Sequence, residues 1–213
     1  MLFDALILSG GRSSRLGGHP KSELVFEGAT LLQRTLDAVQ DARQIVLVGE
    51  PGAAELSPTT VVTRETPAFD GPAAAIAAGL EAATGRPAEW IVVLACDMPF
   101  AARAVPVLLA NAAGDGVLAV DDSGRRQYLL ACYRRDALLA AGARSVGGMS
   151  VRTLISGLST SDIPIPTGSS IDIDTWADAA LLDIPFPQIL HKQILHEQIP
   201  HEQIRHETGV NHD

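Results

Sequence analysis

The chain has 213 residues, 46% of them hydrophobic but only 4% aromatic, and a formal net charge of −9 at pH 7. That length suits one domain with a full core of Ala, Leu, Val and Ile, and the apolar content excludes general disorder. The acidic balance argues against a nonspecific nucleic-acid binder, which needs a basic excess.

Strand and helix patterns alternate along the chain. The first strand is predicted at residues 3–8, and it breaks abruptly into a stretch of glycines, serines and cations ending at Lys21. Residues 31–39 have helical spacing, with Leu32, Leu36 and Val39 on one face. Short strands follow at residues 44–48 and 61–63, then an alanine-rich helix at residues 72–83. Residues 90–95 form the most continuous apolar run, which suits a central strand covered on both faces. A helix is predicted at residues 102–112 and strands at 116–120 and 128–132, joined by a turn at Ser123-Gly124 with hairpin chemistry. Residues 151–155, a Pro-rich link and a last helix at 176–182 complete the pattern. The alternation predicts an α/β fold: three layers, doubly wound, with a mostly parallel Rossmann-like sheet and a small antiparallel hairpin region.

The composition changes at residue 184, so the domain is assigned to residues 1–183 and a low-complexity, disordered tail to 184–213. The tail repeats at five residues (QILHK, QILHE, QIPHE, QIRHE) and carries five of the six histidines. Five residues advance about 500° on an α-helix, so these histidines do not share the i, i+4 face of a zinc helix. Two cysteines supply neither a disulfide framework nor metal-ligand spacing. Cys96 and Cys132 are expected to be free thiols buried in strands, in a cytoplasmic protein. No apolar run approaches about 18 residues, and neither a membrane span nor a secretion signal is expected.

Chemistry concentrates at strand ends, where ligands of open α/β sheets bind. Gly10 and Gly11 can turn consecutive N–H groups toward one phosphate oxygen, and Arg12, Arg15 and Lys21 add positive charge. The spacing excludes a Walker A loop, because Lys21 follows Pro20, and also excludes the G-x-G-x-x-G dinucleotide fingerprint. Asp97, at the end of the central strand, could hold Mg²⁺, which takes one or two carboxylates plus substrate phosphates; it could instead cap the next helix or close an Asx turn. Asp172 and Asp174 lie two apart and face one side if the segment is extended. One of them could complete the metal site, while Asp174 or Thr175 caps the last helix and Asp178 supports its first turn. Gly71-Pro72 at a helix start presents free N–H groups to a ligand.

Leu8, Gly10, Gly11, Arg15, Leu16, Gly17 and Lys21 match the pattern L-x-G-G-x-x-x-R-[ML]-G-x-x-K of a nucleotidyltransferase family. Cys96-Asp97-x-Pro99, Gly71-Pro72 and the segment from Asp172 to Asp178 match further segments of it. With these motifs, residues 1–182 resemble the molybdenum cofactor guanylyltransferases. The resemblance implies Mg²⁺-dependent transfer of GMP from GTP to molybdopterin, with release of diphosphate. It places Leu8, Ser9, Gly10, Gly11, Arg12, Lys21, Glu65, Gly71 and Pro72 on the nucleotide. It gives Arg15 to the diphosphate, Lys21 to the α-phosphate, and Asp97, with Asp172 or Asp174, to the metal. GTP, molybdopterin and molybdenum cofactor insertion proteins are the implied partners, with no nucleic acid or membrane. Cytidylyl transfer to molybdopterin, guanylyl transfer to a small phosphorylated acid, and a non-enzymatic nucleotide-binding accessory role remain open. His19-Pro20 before Lys21 and Ala75, where the family pattern has glycine, leave the choice of base undecided.

Overall fold

A computed structural model describes residues 1–11, 13–143 and 146–186. Its main sheet has seven strands. In chain order they are β1 (Phe3–Ser9), β4 (Ile45–Gly49), β5 (Val61–Thr63), β6 (Trp90–Ala95), β7 (Gly116–Val120), β8 (Arg126–Arg134) and β9 (Thr160–Pro164). Two short strands, β2 (Val25–Phe26) and β3 (Ala29–Thr30), pair separately as an antiparallel ribbon. The order across the main sheet is β5-β4-β1-β6-β8-β7-β9, with β6 at its centre. Only β8 runs against its neighbours, so six strands share one direction. The chain winds outward from β1 through β4 to β5 and then returns to the far side of β1 at β6. This reversal is the topological switch point at which α/β sheets bind ligands.

Among the described residues there are six α-helices, α1 (Leu31–Ala38), α2 (Pro72–Ala82), α3 (Val105–Ala110), α4 (Arg135–Gly142), α5 (Val151–Leu154) and α6 (Trp176–Leu181), of which the first five supply residues to the two faces of the sheet. Side chains alternate across a strand, and β1 shows the result. Phe3, Ala5 and Ile7 join a core with Leu32 and Leu36 of α1 and Leu108 of α3. Leu6 and Leu8 join the opposite core with Ile76 and Leu80 of α2, Leu138 of α4 and Leu154 of α5. The result is three layers. Helix α2 lies so close to the sheet that a Cβ on Gly79 would meet Leu6 Cδ1 at 2.2 Å. A third apolar cluster, outside the two faces, joins Leu16, Leu24, Phe26 and Leu31 to Ile173, Ala179 and Ile184.

The β2–β3 ribbon and α4 have no counterpart in the sequence expectation, and two further elements differ from it. The helix expected at residues 102–112 is a 3-10 turn, Ala101–Arg103, followed by α3 from Val105. Pro106 has no N–H and belongs in a first helical turn, so it restarts the helix there. The Pro-rich link contains β9, an edge strand parallel to β7; its polar, largely exposed residues carry no apolar alternation, and an edge tolerates Pro164. Cys96 also lies one residue beyond β6, in a turn, although both cysteines are buried and free as expected. Packing continues through Ile184, which is 5% exposed, and Phe186, whose ring centroid is 4.4 Å from that of Trp176. The histidine repeats of residues 187–213 lie outside the described residues.

Candidate functional site

Strand pairing assembles the site. Leu8 is in register with Ala95, and Cys96 N donates to Leu8 O at 3.1 Å, so the glycine loop after β1 and the Asp97 turn after β6 leave the sheet side by side. Ile173 N donates to Asp97 O at 3.1 Å, which brings the acidic segment before α6 to the same place. Ile173 is fully buried in the third cluster, so the residues on either side of it, Asp172 and Asp174, turn the other way, as two-residue spacing predicts.

The glycine loop is built from left-handed backbone. Gly11 has φ of 148° and Gly17 of 63°, and Ser13, at 43°, is a rarer non-glycine case. Leu16 N and Gly18 N both donate to Ser13 O, at 2.9 and 3.0 Å, and the fully buried Leu16 anchors the far side of the loop. On β4, a Cβ on Gly49 would sit 2.5 Å from Ser9 O, so only glycine lets the two strand ends approach this closely.

Lys21 stands at the junction. Its Nζ is 2.7 Å from Asp97 Oδ2 and also bonds Asp174 Oδ1, and Arg15 Nη1 lies 3.3 Å from Asp174 Oδ2. Burial pulls the Lys21 ammonium down, but the charges and hydrogen bonds of Asp97 and Asp174 more than offset it, so its pKa lies above the ordinary lysine value. Asp172 shifts the other way for a charged group: burial, then repulsion from Asp97 and Asp174, raises its pKa above the usual carboxylate range. Burial, followed by the Asp97 charge, pushes the Cys96 thiol up to about 12. A thiol that stays protonated is no nucleophile at neutral pH.

A cavity of about 360 Å³ opens over this junction, a size typical of small-molecule sites. Of the residues expected on a nucleotide, Leu8, Ser9, Gly10, Gly11, Lys21, Glu65, Gly71 and Pro72 line it, as does Asp97. Arg15, Asp172 and Asp174 are not part of its wall; Arg15 and Asp174 reach it through Lys21. Arg12 lies outside the described residues. Glu65 also has a structural task, since its Oε1 accepts Phe69 N at 2.8 Å. Val48, Phe69 and Leu129 line the cavity without any motif to announce them. Phe69 had a weak signal, an aromatic beside an Asp-Gly-Pro turn.

The alternatives for the acidic residues separate cleanly. The 3-10 turn after Asp97 has no side-chain cap, and the Asp97 carboxylate bonds Lys21 instead. Thr175 caps α6 in a reciprocal box with Asp178, which leaves Asp174 to Lys21. Among the described residues, no three His, Cys, Asp or Glu side chains form a ready-made metal cage. Two carboxylates on one ammonium nevertheless fit Mg²⁺, which completes its shell with substrate phosphates and water. Arg125 closes the β7–β8 turn, and Arg126 and Gln127 open β8: Asp121 accepts from Ser123 Oγ and N, Arg125 N and Gln127 Nε2, which holds its pKa down at about 2.

Comparison with known proteins agrees with this geometry. A molybdenum cofactor guanylyltransferase of Nitrobacter hamburgensis is 33% identical over 130 residues, 58% of this chain and 62% of that relative's own length. One of Pseudomonas putida is 30% identical over 164 residues, 72% of this chain and 84% of the relative. The crystal structure of molybdopterin-guanine dinucleotide biosynthesis protein A from Archaeoglobus fulgidus shares the fold, with a TM-score of 0.66 at 22% identity, covering 89% of this chain and all of that one. The model of the MobA-like NTP transferase domain matches residues 5–161, and with the glycine loop, Lys21 and Asp97 gathered at one cavity, the chain belongs to that family.

Proposed function

We propose that this protein is a Mg²⁺-dependent nucleotidyltransferase that moves GMP from GTP to molybdopterin and releases diphosphate. The observation that carries the reading is the 2.7 Å contact between Lys21 and Asp97 in the wall of a cavity framed by Gly10 and Gly11. One cation, one carboxylate and a glycine loop suit a polyanion that arrives with a divalent ion. In the reaction, an oxygen of the acceptor's phosphate bonds to the α-phosphorus as the α–β anhydride bond breaks and diphosphate leaves. Such transfer needs positioning and charge neutralisation more than a protein nucleophile, consistent with a Cys96 thiol held protonated.

In this reading the Gly10 and Gly11 amides hold the β- and γ-phosphates, Arg15 draws the departing diphosphate, and Lys21 turns from its carboxylates to the α-phosphate. Asp97, with Asp174 or Asp172, would hold Mg²⁺, whose contribution when bound is charge neutralisation across the phosphates. Molybdenum cofactor insertion proteins would receive the product, in a cytoplasm that keeps Cys96 and Cys132 reduced. Among the described residues no helix is long and apolar enough to cross a membrane. Ala75, where the family pattern has glycine, lines the cavity and makes CTP the proper comparison nucleotide.

The test is diphosphate release from GTP and from CTP, with molybdopterin, with and without Mg²⁺. Release should require GTP, acceptor and Mg²⁺ together, and Asp97→Asn should lower it about 100-fold or more while the melting temperature changes little. No release under any combination, or an Asp97→Asn enzyme as fast as the parent, would refute the reading.

A further inference from the structure

Asp97 and Asp174 share one cation that belongs to the chain itself. Lys21 Nζ lies 2.7 Å from Asp97 Oδ2 and also bonds Asp174 Oδ1, so a single ammonium ties two distant segments together. The backbone fixes all three residues. Leu24 N donates to Lys21 O at 3.1 Å, closing the 3-10 turn Lys21–Glu23 on a buried Ser22. Ile173 N donates to Asp97 O at 3.1 Å, and Asp178 Oδ2 accepts Asp174 N at the same distance. The side chains of Lys21 and Asp97 are only 22% and 20% exposed, so water weakens their attraction little. Arg15 is different. It reaches Asp174 at 3.3 Å from a side chain that is 71% exposed, where solvent screens most of its charge.

We infer that Lys21 competes with the divalent ion for Asp97 and Asp174, so that the metal enters together with the polyphosphate rather than before it. The inference rests on the nucleotide-transfer reading of the cavity, with Asp174 as the second carboxylate on Mg²⁺. A tethered ammonium is always at hand, whereas Mg²⁺ gives up its water reluctantly and meets a like charge in the gap. A polyphosphate changes the balance. Lys21 lines the cavity beside Gly10 and Gly11, so a phosphate there offers the ammonium a new anionic partner. The ammonium then moves to phosphate as the divalent ion takes the carboxylates, and each ligand raises the other's affinity, as linkage requires.

The experiment measures Mn²⁺ binding to the full-length protein by electron paramagnetic resonance and calorimetry, with no nucleotide present. Lys21→Met keeps a long side chain without its charge and should bind Mn²⁺ at least about 10-fold more tightly than the parent. Arg15→Met removes a screened charge and should gain less than about threefold. Adding Asp97→Asn to Lys21→Met should abolish the gain, which separates this site from the histidines of the tail. Equal gains in Lys21→Met and Arg15→Met would reduce the effect to net charge and overturn the inference, as would a parent that binds Mn²⁺ as tightly as Lys21→Met. If Lys21→Met does not fold, the parent supplies the answer. The chain has two lysines, Lys21 and Lys192, so ¹³C-lysine labelling gives two ε-carbon signals, which Lys192→Arg assigns. Tripolyphosphate without metal should move the Lys21 signal, and Mg²⁺ without polyphosphate should leave it in place; a Lys21 signal displaced by Mg²⁺ alone would overturn the inference. Failure of the parent to bind GTP with Mn²⁺ present would instead remove the transfer reading itself.

Discussion

At the scale of single residues, Asp172 bears the least favourable charge of the site. Its raised pKa means that the folded protein binds this proton more tightly than the unfolded chain does. Ionisation therefore costs stability, and the cost grows as pH rises through the folded value, which lies above the usual carboxylate range, and persists at neutral pH. Lys21 behaves oppositely: its stabilisation is complete at neutral pH and is lost only as pH climbs past the ordinary lysine range. Asp172→Asn should thus raise the melting temperature at pH 7 by about 1–2 °C, because a carboxylate only partly withdrawn from solvent is screened to under about 1 kcal/mol. The gain should vanish at pH 3, where both forms are neutral; a gain independent of pH would contradict the repulsion. Lys21 and Asp97 were legible from local sequence, because a cation after a glycine loop and a carboxylate after a buried strand each mark a strand end. Phe69 was announced only weakly, by its place beside the Asp70-Gly71-Pro72 turn, since a lone phenylalanine does not show which surface it will line.

At the scale of elements, the N-terminus of α6 performs two tasks at once. Thr175 accepts from Asp178 N, and Asp178 Oδ2 accepts from Thr175 N at 2.7 Å and from Asp174 N at 3.1 Å, so the cap also holds the backbone of a site carboxylate. Thr175→Ala should cost about 1 kcal/mol, a drop of about 2–4 °C, measured by thermal melting, whereas Thr175→Ser should cost little. Equal melting temperatures for the two variants would remove the cap from the account. This element was readable because a capping box is a four-residue pattern. Helix α4 and strand β9 escaped notice for the opposite reason. Helix α4 buries only Leu138, and β9 is an edge strand with polar residues, so neither carries a strong apolar period.

At the scale of the whole molecule, the third apolar cluster links the phosphate-loop arm at Leu16 to Ile173 and Ile184. Shortening the chain after Phe186 should leave melting temperature and diphosphate release unchanged. Shortening it after Asp183 should lower the melting temperature by several degrees, since a buried isoleucine is worth about 1.5–3 kcal/mol; identical melting of the two truncated proteins would show that Ile184 contributes nothing. The chain alone determined strands β1, β4, β5 and β6, the glycine loop and the carboxylate at Asp97, because each is set by neighbours within a few positions. It also carried the family, whose motifs are local. Only tertiary structure decided that Lys21 would hold Asp97 and Asp174 together, residues 76 and 153 positions away. That meeting depends on the parallel pairing of β1 with β6 and on the burial of Ile173, both long-range choices made by packing rather than by local pattern.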